Sequence, residues 1–458
     1  MTRRRSHDAH APVSADRPHR IEPPRWTPAT RIAFRFGVVY LGLFALATQL
    51  SGSLVPNLYV SYRGLGRSWP LRDITHWTAA TVFGLPAALD DVSGGEPLFF
   101  WIQTFWLLVV AVMAAALWSA FDRRQHYERP YAWFRLCVRL VLAAALFEYG
   151  MTKVIPTQFP APPLTTLVTP VGDLTLSALL WTSVGASQPY QILTGCVEVL
   201  AGILLLIPRT AMAGAMLGLA AAAQVFVLNM TYDIGLKLIS FHLLLLALIL
   251  LAPGLPPLAD VFLRNRPAAI SPEPRLARTH RGHLLFVAAP MVFGVYLLGM
   301  YAYFNWSFWQ VAGGARPRSA LYGIWNVEEL SVDGEIRAPS LNDYDRRWRR
   351  VIFDEVGSLV IQRTDDSFAR YGAALDSGRS RLTLTKGDSR NWTAAFTVDR
   401  ATEDRLLIEG EMDGRTIAAR LQRVDFDAFP LLNSTFRWIR PHDVPQRRVG
   451  GPSVEVGR

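Results

Sequence analysis

The sequence predicts a membrane all-α helical bundle of about 7 transmembrane helices, followed by an extramembrane all-β small barrel. Three observations lead there. Long apolar runs dominate up to about residue 304, whereas beyond about 318 the composition becomes that of a soluble domain. Arginines collect in the N-terminal tail and in alternate links between the runs, the asymmetry that orients membrane helices. The C-terminal part alternates short β-rich stretches with turn signals.

A bilayer core takes roughly 20 apolar residues per helix. Seven segments supply them, at about 32–54, 99–121, 131–153, 190–207, 210–229, 236–253 and 284–304. Residues 1–29 are too charged and Pro-rich for a signal peptide and read as a disordered basic cytoplasmic tail. Arg3, Arg4, Arg5, Arg17, Arg20, Arg25 and Arg31 fall on one side with Arg123, Arg124 and Arg129, then Arg209, then Arg264, Arg266, Arg275, Arg278 and Arg281. The other side offers Arg63, Arg67 and Arg72, with Lys153 and Lys237 at helix edges. That bias places the N-terminus in the cytoplasm, and an odd number of spans carries the C-terminal domain outside. The formal charge of +10 therefore reports topology. Nucleic acid is not an expected partner, because the chain has no reader motif and no basic patch interleaved with aromatics.

Two outer segments, Ile74 to Leu85 and Leu176 to Gly185, are apolar but too short to cross, so they read as interfacial or re-entrant helices roofing the bundle. His76 in the first reads as a solvated interfacial histidine before it reads as a site residue. The two cysteines, Cys137 and Cys196, sit in separate apolar runs. Their spacing excludes a CxxC pair, and they are expected to be core packing residues. The last span closes on "YAYFNWSFW", an interfacial aromatic belt, and 306–317 is the linker.

The barrel domain, 318–441, contains eight β-rich runs with hairpin-length links, from "YGIWNVEEL" to "RTIAARLQRV". That count suits an antiparallel meander closed on itself. Gly323-Ile324-Trp325 is similar to the GxW of lipocalin-like barrels, which implies that Trp325 plugs one end and that Arg420 or Arg423 packs on it. A barrel filled by its own side chains and a barrel with a ligand cavity both fit. Residues 442–458 form a second disordered tail.

Ionisable residues in the spans are the candidate site, because a charge in hydrocarbon is costly unless it faces inward and pairs. With the sixth span starting outside, Asp233 and Lys237 lie near the outer interface, four apart on one helix face. His242 lies about 7 Å deeper and about 140° around the helix from Lys237. Glu148 and Lys153 end the third span, Gln191 and Glu198 occupy the fourth, and Asn229 and Tyr232 close the fifth. One reading pairs Glu198 with Lys237 or Lys153 purely to fix helix register. The other makes the cluster a site for a small ligand or quinone headgroup, with His242 as proton donor or acceptor.

The segment Pro189 to Leu251, with "FEYGMTKVIP" upstream, resembles the DoxX family of bacterial membrane proteins in a long form with an appended β domain. The matching positions are Gly195, Glu198, Gly202, Arg209, Thr210, Gly214, Asn229, Tyr232, Asp233, Lys237, Ser240 and His242. Gly235 stands where members carry a Pro. The resemblance covers about 120 residues and implies a membrane fold associated with a thiosulfate:quinone oxidoreductase subunit; most members have no assigned activity. A broader similarity to the membrane part of the vitamin K-dependent carboxylases transfers no catalytic residue.

The expected functions are therefore a redox-associated membrane protein holding a quinone or similar lipid-soluble carrier, with Glu198, Lys237 and His242 lining the site, or a non-enzymatic envelope protein anchoring a small binding barrel. A transporter ranks below both, for want of inverted repeats. Membrane lipids are expected partners. No flavin, haem or iron–sulfur motif is evident and no metal site is expected, so a redox partner protein would carry any electron-transfer cofactor.

Overall fold

The computed structural model of the chain describes residues 26–55, 64–85, 89, 96–267, 279–338, 347–376, 378, 380–387, 389–433 and 438–439. The tail expected at 442–458, and that at 1–29 except for its last four residues, lie outside the described residues.

The helices are α1 (Pro28–Ala47), α2 (Leu50–Leu54), α3 (Leu71–Phe83), α4 (Leu98–Phe121), α5 (Glu128–Val154), α6 (Leu176–Ala186), α7 (Gln188–Leu206), α8 (Ala211–Thr231), α9 (Lys237–Leu251), α10 (Leu255–Phe262), α11 (His280–Val311) and α12 (Pro430–Asn433). Seven of the described segments are long and apolar enough to cross a membrane: α1, α4, α5, α7, α8, α9 continued through α10, and α11. Local chemistry sets their starts. Thr27 accepts the Thr30 N–H ahead of Pro28, and Thr279 accepts the Gly282 N–H at the head of α11.

Two boundaries differ from expectation. The first span is not continuous over 32–54: it stops at Ala47, where Thr48 turns extended and bonds its hydroxyl back to Phe44 O, and resumes as the short α2. The last span runs beyond 304 to Val311, so the first half of the expected 306–317 linker is helical. Nothing before Gly313-Gly314 breaks that helix. The two short outer helices form as expected, as α3 and α6.

Buried alanines and leucines of α5 lie at the middle of the bundle core, where α5 packs closely along α7. A Cβ on Gly195 would stand 2.6 Å from Gly150 O and 2.8 Å from Val154 N, so only glycine permits that approach. Cys137 and Cys196 correct the sequence reading, for both are exposed on the outside of the bundle. In lipid an apolar side chain is stable facing outward, so an apolar run no longer identifies the core.

The strands are β1 (Arg318–Val332), β2 (Glu335–Ile336), β3 (Trp348–Glu355), β4 (Ser358–Arg363), β5 (Phe368–Asp376), β6 (Arg381–Lys386), β7 (Ser389–Thr402), β8 (Arg405–Met412) and β9 (Arg415–Arg423). All pairings are antiparallel, and β1 pairs β9 to close an eight-strand barrel, with β2 a two-residue stub on β1. Asp413-Gly414, both at positive φ, make the two-residue turn from β8 to β9.

Side chains alternate across the barrel wall, with the register shifted by bulges between Val327 and Glu329 on β1 and between Trp348 and Arg350 on β3. Trp325, Val351, Phe353, Leu359 and Ile361 face the interior, while their neighbours Ile324, Ile352 and Val360 are buried on the outside. The loop between α5 and α6 covers that outer patch with Leu164, Leu167 and Val168. Asp354 accepts the Leu164 N–H at 2.9 Å and pairs with Arg316 at 2.8 Å, and the Gln362 amide donates to Val168 O at 3.2 Å. The barrel is thereby clasped to the bundle.

Trp325 is fully buried and donates its indole N–H to Leu321 O. Arg423 lies opposite it in the β1–β9 register, with its Nε 3.2 Å from where a Cβ on Gly323 would stand. Arg420 instead pairs with Glu329 at the surface.

Candidate functional site

The alternation of the spans brings the ends of α1, α5, α8 and α11 and the starts of α4, α7 and α9 to the side where the barrel sits. The candidate residues all belong to that half, but they form separate groups.

The strongest is an ion pair between α5 and α7. Lys153 donates to both oxygens of Glu198 at 2.7 and 2.8 Å, with both side chains buried, and its Nζ also reaches Tyr149 O. The glycine contact at Gly150 and Gly195 draws the helices close enough for this pairing. Glu198 thus pairs with Lys153 and not with Lys237. Gln191, one helical turn from the start of α7, bonds both backbone groups of Phe159 once its amide takes the orientation that satisfies them.

A second group closes the α8–α9 hairpin. Asn229 donates to Ser240 Oγ at 3.1 Å and to Leu236 O. Tyr232 ends α8, Asp233 takes positive φ at the turn, and Lys237 bonds Asp233 at 2.7 Å with the carboxylate largely in solvent. Glu96, just ahead of α4, accepts the Leu238 N–H with both carboxylate oxygens, satisfying an otherwise orphan donor at the head of α9. Burial pushes the Glu96 carboxyl up from the ordinary range, against the opposing pull of the Leu238 N–H and Lys237.

His242 faces α1. Its Nδ1 meets Leu238 O at 2.7 Å, a carbonyl that only accepts, so that nitrogen carries the proton. Its Nε2 then accepts from the Tyr40 hydroxyl at 2.8 Å, and the ring stacks on Phe44 at 3.4 Å. Glu148 points instead to α2 and bonds the Ser53 hydroxyl. Glu198, Lys237 and His242 therefore do not line one pocket. His76 is half-buried against Phe99, 5.8 Å between ring centroids.

A cleft of about 30 Å³ in this half is lined by Phe44, Thr48, Gln49, Glu96, Phe100, Thr104, Leu236, Leu238 and Ile239. His242 sits behind its Phe44 wall, and Gln49 bonds the Tyr149 hydroxyl. Tyr40, Gln49, Ser53 and Glu96 are absent from the sequence-derived cluster. Their signals were present, as polar interruptions of the first apolar run and as the acid preceding Pro97 at a helix start. Among the described residues no group of three or more His, Cys, Asp or Glu is placed to hold a metal ion.

Bundle, cleft and barrel together define a multi-pass membrane protein with a clasped extramembrane β domain. Its sequence is 37% identical over 116 residues to the uncharacterized protein YwoB of Bacillus subtilis (strain 168), a match covering 25% of this chain and 71% of that protein. The chain belongs to the same family as YwoB. No family model matches the chain, and no solved structure matches it.

Proposed function

We propose that this is a multi-pass protein of the bacterial cytoplasmic membrane, N-terminus inside and barrel outside, whose cleft takes the head of a lipid-soluble carrier of the quinone class. The cleft lining carries this reading. Thr48, Gln49, Glu96 and Thr104 supply polar groups beside the apolar Phe44, Phe100, Leu236, Leu238 and Ile239, the mixture that a carbonyl-bearing ring on an apolar tail requires. The DoxX resemblance points the same way. The enclosed space suits about two waters, so a ring enters only as the Gln49 and Phe100 side chains swing aside. In this reading the Gln49 amide leaves the Tyr149 hydroxyl and the Thr104 hydroxyl leaves Phe100 O to donate to ring carbonyls, the His242–Tyr40 pair holds Phe44 in place, and Lys153–Glu198 fixes α5 against α7 without touching the ligand. A quinone would supply electron-pair and proton carriage, with electrons delivered by a partner protein. The test is lipid extraction from protein purified out of native membranes: a Gln49→Leu/Thr104→Val variant is expected to retain several-fold less quinone, and equal content overturns the reading.

The clasp between barrel and loop favours a second reading, an envelope protein whose bundle anchors a ligand- or partner-binding barrel. A ligand inside that barrel would quench Trp325. It would alter the emission of the full-length protein but not of its Trp325→Phe variant; equal responses from the two count against an occupied interior.

A further inference from the structure

Glu148 stands apart from Glu198, the other buried acid among the described residues. It is 7% exposed within the bundle, and its hydrogen-bond partner among the described residues is a hydroxyl, that of Ser53 on α2. Charged and titratable groups on the elements around it are engaged elsewhere. On its own helix Lys153 is held by Glu198 of α7, on α9 His242 is bonded to Tyr40 of α1, and on α11 the Tyr301 hydroxyl donates to Ser53 O at 2.9 Å. A carboxylate so placed would hold its charge against one neutral donor in a low-dielectric setting, so the neutral acid is the form the surroundings favour. The hydroxyl that meets it lies one residue contact behind the cleft: Ser53 is itself fully buried, its Oγ lies 3.4 Å from the Gln49 backbone O, and Gln49 lines the cleft.

We propose that Glu148 is a proton-binding site within the membrane, a neutral carboxylic acid that exchanges its proton with cleft water by way of Ser53. In the loaded state the Glu148 O–H donates to Ser53 Oγ and the Ser53 O–H turns to Gln49 O. On release a water enters from the cleft beside Gln49, the carboxyl O–H bond breaks, Ser53 Oγ takes that proton as it gives its own to that water, and the renewed hydroxyl turns to donate to the carboxylate. One proton leaves and one negative charge remains. The site extends beyond carrier binding and stands whatever the cleft accepts.

Infrared spectroscopy of the full-length protein in lipid reads it directly. At neutral pH the wild type is expected to show the carbonyl stretch of a protonated carboxylic acid, shifted on transfer to deuterated water. Glu148→Gln should lose that band while keeping wild-type thermal stability, because it replaces one neutral group by another. Glu198→Gln should leave the band in place. Ser53→Ala should shift its frequency and slow its deuterium exchange several-fold. A band absent from the wild type, or unchanged in Glu148→Gln, overturns the proposal, as does exchange in Ser53→Ala at the wild-type rate.

Discussion

The bundle and the barrel distribute polarity in opposite senses. In the barrel the interior holds Trp325, Phe353, Phe396 and aliphatic neighbours, with arginines and acids outside. In the bundle Lys153, Glu198, Glu148, Gln191 and His242 are buried, while Leu117, Phe121, Leu193 and Val295 face outward. Each follows its solvent: water drives apolar groups inward, whereas lipid is indifferent to them and penalises the polar ones. The difference teaches that a buried polar residue in the bundle is the counterpart of a buried leucine in the barrel, and deleting half of a pair there should hurt as a core cavity would.

The largest expected effect tests that equivalence. Lys153→Met leaves Glu198 buried without its cation and should cost about 3–5 kcal/mol, whereas Lys153→Met/Glu198→Met should recover most of the loss. Thermal unfolding of the protein in detergent measures both. A double variant as damaged as the single one would mean the pair does more than hold α5 to α7.

The next effect concerns the seam between the two regions. Asp354→Ala strands the Leu164 N–H and Arg316 together and should weaken the clasp by about 1.5–3 kcal/mol. Limited proteolysis should then cut the 157–175 segment several-fold faster while the barrel stays intact. Unaltered cleavage would show that Leu164, Leu167 and Val168 on Ile324, Ile352 and Val360 suffice.

That seam also marks where the sequence was legible and where it was not. Each of the eight β-rich runs became a barrel strand, because turn pairs such as Asp413-Gly414 and inward alternation are local signals. "RRVIFDE" and "LVIQRT" depart from that alternation, since Ile352 and Val360 are apolar where water would be expected. A run buried on both faces signals a covering layer, but the loop that covers it lies far upstream, with Leu164 separated from Asp354 by 190 positions along the chain. In the bundle the depth of each polar residue followed from the alternation of spans. Its azimuth did not: the Glu198–Lys153 pairing depends on Gly195 meeting Gly150, and the turn of His242 toward Tyr40 depends on how α9 packs on α1. Cys137 and Cys196 were misread for the same reason, as position around a helix in lipid leaves no apolar signature.

A smaller effect should appear in the pH profile. Burial raises the Glu96 carboxyl, so folding favours its protonated form. Stability from this group is therefore fully present below the unfolded carboxylate value and falls away as pH rises through the higher folded value. Wild type should gain slightly on Glu96→Gln as the buffer is acidified through that window, read as the difference between their unfolding temperatures. A constant difference across the window would mean that the Leu238 N–H and Lys237 cancel the desolvation.

The smallest effect separates the two ways of seeing Lys237. As a member of a membrane-embedded site it would be costly to remove, comparable with Lys153. In the structure Lys237 is only 17% exposed, but its partner Asp233 is 71% exposed, the two are four residues apart at a helix start, and water screens the pair from the carboxylate side. Lys237→Ala should therefore change stability by only about 0.3–0.5 kcal/mol. Quinone content should stay at the wild-type level, because Lys237 does not line the cleft. The contrast with Lys153 puts two lysines of the same half of the bundle on opposite sides of the rule that separates the domains: one is paired where water cannot compensate, the other where it already does. A Lys237 variant as unstable as Lys153→Met would place that residue within the low-dielectric interior and erase the distinction.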